Sequence, residues 1–103
     1  MDKQLIIKEE EVGLDFLLIL EKLIKIRKDK RIIYQDTYLE DTHDFLLMQI
    51  ENKIKRTKLQ ILNKSSDNNI EKLEDNLLDC AVYCIFLAAK INMGDKKWIK
   101  NIF

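Results

Sequence analysis

Lys72 to Ile91, KLEDNLLDCAVYCIFLAAKI, is the stretch whose reading decides the fold. It is the most apolar run in the chain, is too long for a strand, and holds no Gly or Pro. Leu73, Leu77, Cys80, Cys84, Leu87 and Ile91 recur at helical spacing, and Leu78, Val82, Ile85 and Ala89 widen the apolar surface. A helix apolar over most of its circumference belongs inside an all-α protein. One narrow face stays polar: Lys72, Asp75, Asn76, Asp79 and Tyr83, since residues three, four and seven apart share a face. Two carboxylates one turn apart on such a helix call for a cation, either a side chain or a metal.

Working outward, the spacing predicts a single all-α domain over 1–103, with main helices at about 9–28, 45–62 and 69–92 and a short C-terminal helical tail. Glu9, Glu10 and Glu11 open the first helix, and Lys22, Lys25, Arg27 and Lys28 close it, as the helix dipole favours. Leu14, Leu17, Leu18 and Ile24 mark its expected buried side, with Phe16, Leu20 and Leu23. Gly13 weakens an early turn and suggests close packing against another backbone. Lys30 to Asp44 breaks the helical period and reads as a long connection, the kind that carries function in compact domains. Asp41, Thr42 and Asp44 offer caps for the second helix, and His43 reads as a solvated loop histidine. In the second helix Leu46, Leu47, Ile50, Ile54 and Ile61 form the expected buried stripe, with Thr57 inside it. Gln49, Lys53 and Arg56 line one flank. Asn68 and Glu71 sit at capping-box spacing before the third helix, and Gly94 suits its end.

The chain has 18 basic and 18 acidic residues, so its formal charge is zero. A global basic footprint for nucleic acid is absent. No apolar run reaches the roughly 20 residues of a membrane span, and the first residues lack signal-peptide order. The expectation is a cytoplasmic protein with no membrane association. Cys80 and Cys84 read as small buried hydrophobes in a reducing compartment. One histidine leaves no Cys/His zinc set. The apolar arm (Leu5, Ile6, Ile7) and tail (Trp98, Ile99, Ile102, Phe103) point to a homo-oligomer formed through them.

The polar residues leave two readings open. A basic ridge of Lys53 and Arg56 can close on Asp75 and Asp79 as an ion-pair network that fixes packing. Alternatively, the aspartates hold Mg²⁺ while Lys53 and Arg56 meet phosphates.

Three short elements resemble the nucleotide modification associated domain 1 family, which is common in phage genomes. Tyr34-Gln-Asp36-Thr-Tyr38 is similar to its Y-G-D-S-W element, QIENKIKR (Gln49 to Arg56) to its Q-I-x-x-K-I-x-R helix, and LEDNLLDCAVYCIFLA (Leu73 to Ala88) to its E-D-T-L-L-D-L-A-N-Y-A-I helix. Together they cover residues from about 25 to about 91. The resemblance implies kinship with MazG-like all-α nucleoside triphosphate pyrophosphohydrolases, which use helix-borne carboxylates and Mg²⁺. It points to Tyr34, Asp36, Tyr38, Gln49, Lys53, Arg56 and Tyr83 for nucleotide and phosphate, and to Glu74, Asp75 and Asp79 for metal. Gln35 stands where the family has Gly, Tyr38 where it has Trp, Asn76 where it has Thr, and Val82 where it has Asn. The MazG-like E-x-x-E followed by E-x-x-D is absent. The expected function is binding, and hydrolysis if catalytic, of a (deoxy)nucleoside phosphate. The alternatives are a non-catalytic nucleotide or signal-molecule binder, such as a phage counter-defence protein, and a helical interaction module.

Overall fold

The computed structural model describes residues 7–63 and 69–93; the tail, most of the arm and Asn68 lie outside the described residues. The all-α class is as expected: four helices, three of them long, and no strand among the described residues. The chain divides into two compact units, Met1–Gln35 and Asp36–Phe103.

The first unit holds α1 (Glu9–Val12) and α2 (Leu14–Tyr34). The expected first helix is thus broken near its start and runs six residues further than its sequence period suggests. The break is Gly13, at φ +91° and ψ 148°. Its N–H donates to the Glu9 carbonyl while its own carbonyl accepts from Leu17 N–H, so one residue ends α1 and begins α2. A Cβ built at Gly13 would meet nothing within 4 Å. The glycine serves backbone conformation, not the close approach expected from the sequence. The expected buried side of this helix is corrected too, because none of its residues is buried. Phe16 to Leu20 is a run of five apolar residues, which wraps the helix and defines no single face.

Helix α2 continues through Lys30–Tyr34, so the connection is shorter than expected. It ends at Gln35, the one described non-glycine residue at positive φ (54°, with ψ −131°). The Gln35 N–H donates to the Arg31 carbonyl, and its carbonyl accepts from Arg27 Nη1 at 3.1 Å. Those two bonds hold a backbone conformation that favours glycine.

The second unit opens with a 3₁₀ turn, Thr37–Glu40, then α3 (His43–Asn63) and α4 (Asn69–Asn92). Thr42 is the cap among the three candidates: its Oγ1 accepts from Phe45 N–H at 3.0 Å. His43 lies in the first turn of α3, half-buried and not in a solvated loop. The two helices pack antiparallel, since Gln60 meets Asn76, Lys53 meets Asp79, and Ile50 meets Cys80 as one helix ascends and the other descends.

Their seam keeps part of the stripe expected, Leu46, Ile50 and Thr57, and leaves the rest outside it. Leu46 is fully buried, Leu78 is 5% exposed and Thr57 8%. Leu47, Ile54 and Ile61 are roughly half exposed, as is Leu77, and Cys84 is exposed as well. On α3 the packed face runs Leu46, Ile50, Lys53, Thr57 and Gln60, at successive spacings of four and three. It admits polar residues because each finds a partner. Thr57 Oγ1, for example, donates to the Lys53 carbonyl at 2.8 Å, which explains a hydroxyl in the core.

The 3₁₀ turn is fastened to the far end of α4. Tyr38 stacks on Phe86 with ring centroids 4.3 Å apart and planes 5° from parallel. Its hydroxyl donates to Met93 Sδ at 3.9 Å. Lys90 Nζ donates to the carbonyls of Leu39 (2.9 Å) and Asp41.

Two stability outcomes follow. Gln35→Gly should raise the urea midpoint, by roughly 1 kcal/mol of stability, while Gln35→Ala should give no gain. Thr42→Ala should cost about 1 kcal/mol in the same measurement through loss of the cap.

Candidate functional site

The polar face of α4 and the basic flank of α3 meet along one side of the hairpin. At its centre Lys53 Nζ donates to Asp79 Oδ2 at 3.4 Å, with side chains 17% and 31% exposed. One helical turn toward the α3–α4 connection, Arg56, Leu59, Gln60, Lys72, Asp75 and Asn76 line an open cleft of about 500 Å³. Asn76 Nδ2 donates to Gln60 Oε1 at 2.8 Å within that lining. Toward the 3₁₀ turn, Tyr83 stands edge-on to Phe86 at 6.3 Å. Its phenol is pushed above its ordinary value first by burial, then by the negative charges of Asp79 and Asp41.

The structure therefore brings together Lys53, Asp79 and Tyr83, and sets Arg56 with Asp75 in the cleft. Gln49 is half-buried one turn before Lys53 on the same helix. Asp36 caps the 3₁₀ turn through its carbonyl, which accepts from Leu39 N–H. Tyr38 has one ring face occupied by Phe86. Tyr34 is the last residue of α2, 59% exposed, and belongs to the first unit. Glu74 is half-buried and lies about 100° around α4 from its neighbour Asp75.

Among the described residues no group of three His, Cys, Asp or Glu side chains is placed to share an ion. Asp79 already faces Lys53. Mg²⁺ keeps several of its waters and needs only one or two carboxylates beside a phosphate chain.

Cys80 and Cys84 are corrected from buried hydrophobes to one half-buried and one exposed thiol. Cys80 Sγ reaches the Ile50 carbonyl at 3.9 Å. Burial, followed by the neighbouring Cys84, pushes the Cys80 thiol above its ordinary range, so it is a poor nucleophile.

Gln60, Lys72 and Lys90 were not singled out as site residues by the sequence reading. Gln60 could have been found, because it continues Lys53 and Arg56 at i+7 and i+4. Lys90 could not, since its partners are backbone carbonyls of a turn far away in sequence.

Fold and site define an all-α protein whose antiparallel helix hairpin carries a mixed-charge flank and an open cleft. No family model, curated protein or solved structure matches the chain. No described helix is long and apolar enough to cross a membrane.

The raised Tyr83 phenol gives a pH outcome. A folded-state value above the unfolded one means the native state holds the proton longer. The associated stability is complete below about pH 10, the ordinary tyrosine value, and is lost as pH rises through the folded value. Ultraviolet titration of tyrosinate should show one late tyrosine that disappears in Tyr83→Phe. In Asp41→Asn it should move toward the ordinary range.

Proposed function

We propose that the protein binds a nucleoside phosphate, or a nucleotide-derived small molecule, along the polar flank of the α3–α4 hairpin. The observation that carries this is the cleft itself, where Arg56 and Lys72 stand one and two helical turns along the flank from the Lys53–Asp79 pair. Arg56 presents a planar fork of donors suited to two phosphate oxygens. Lys72 lies in the first turn of α4, where the helix dipole also favours an anion. Gln60 and Asn76 add amide donors and acceptors for a base or sugar edge. The Lys53–Asp79 distance of 3.4 Å exceeds the roughly 2.7–2.9 Å of a tight charge-assisted bond. Lys53 has three donors, so it can turn to a phosphate without leaving Asp79 bare. The resemblance of QIENKIKR and LEDNLLDCAVYCIFLA to a nucleotide-related family supports the same choice. So does the positive φ at Gln35, where the similar element carries glycine. Mg²⁺ would arrive with the phosphate chain, since among the described residues no three carboxylates gather around one ion. Binding without turnover is the reading the site supports best. Oligomerisation through the arm and tail remains part of this reading.

A second reading has its own observation: Lys53–Asp79 bridges the two helices at a partly buried position, which suits a purely structural pair.

The test is calorimetric titration of common nucleotides with Mg²⁺, alongside a pyrophosphate-release assay. At least one nucleotide should bind without turnover, and Arg56→Ala and Lys72→Ala should each weaken it about tenfold with helicity unchanged. No binding by any nucleotide up to millimolar concentration would overturn the proposal and leave the structural pair.

A further inference from the structure

On the flank of α3 away from the cleft, Leu47, Ile54 and Ile61 recur every seven residues, 47%, 55% and 56% exposed. Glu51 and Lys58, both exposed, fill the positions between them. The stripe Leu47, Glu51, Ile54, Lys58, Ile61 steps by four and three throughout, the spacing that stays in contact with another helix over several turns. On α4, Leu77 and Cys84 are exposed and also seven apart, three before and four after Cys80, whose thiol reaches Ile50. The antiparallel register sets Leu77 near the level of Ile54, and Cys84 near that of Leu47. A membrane surface is a poor occupant, because Glu51 and Lys58 interrupt the apolar stripe.

From this pattern we infer that the α3 flank is a self-association surface for a second copy of this chain, paired antiparallel about a two-fold axis at Ile54. The stripe is complementary to itself when reversed. Ile54 meets its own copy, Leu47 meets Ile61 of the partner subunit, and Glu51 lies beside Lys58 of the partner subunit. Apolar thus faces apolar and acid faces base twice, as an isologous interface requires. Within one chain Glu51 and Lys58 cannot pair, being about 10 Å apart along the helix axis. The contact leaves Lys53, Arg56 and Gln60 uncovered on the opposite flank, so it is independent of ligand binding.

Sedimentation equilibrium of the full chain across micromolar to submillimolar concentrations tests this. The wild type should dimerise, and Ile54→Asp should stay monomeric with unchanged circular dichroism. Glu51→Lys and Lys58→Glu should each weaken dimerisation roughly tenfold, because two attractions become two repulsions. The double variant should restore it, a rescue that only a second copy can supply. A wild-type monomer at every concentration would overturn the inference, as when the chain's own tail covers the face. So would a dimer indifferent to Ile54→Asp, or a double swap without rescue.

Discussion

The seam between α3 and α4 is the constraint on which the rest of the second unit depends. Its apolar part is small, with Leu46 and Leu78 the buried hydrophobic residues described. Polar groups therefore share the work of setting register. Lys53–Asp79, Gln60–Asn76 and the Cys80 thiol on the Ile50 carbonyl each fix one level of the antiparallel pair. A slide by one turn would separate all three, at the cost of leaving partly buried polar groups without partners.

The same polar levels make the site. Because Arg56, Lys72 and Asp75 sit along the solvent-facing edge of the seam, they line one open cleft together. The site is built on two helices, which place side chains more firmly than a loop would. The connecting segment is fastened down by Tyr38 on Phe86 and Lys90 on two carbonyls. It closes one end of the hairpin and brings Asp41 near Tyr83, which contributes to the raised phenol.

Helical periodicity was enough to place the three long helices and the polar face of α4. Local chemistry also read correctly at Thr42, one of three capping candidates. Boundaries were less legible. Lys30–Tyr34 stands at the head of a stretch that breaks the apolar helical period, yet it propagates a helix already nucleated by the residues before it. Gly13 was visible as a weak point, but its positive φ depends on where the chain turns, not on composition.

The sequence by itself determined an all-α chain, its three long helices, a row of acids along one face of α4 and a row of bases along one flank of α3, because side-chain spacing alone defines those faces. Only the tertiary structure decided which edge of each apolar stripe is packed. Leu47, Ile54 and Ile61 lost to Leu46, Ile50 and Thr57 by a rotation of α3 that period alone does not specify. The reason is that a broad apolar arc fits a neighbouring helix at several rotations, and the polar partners Asp79 and Asn76 select one of them. Residue types alone also left the spacing of Asp75, Asp79 and Glu74 in space open; among the described residues they join no group of three metal-ligating side chains.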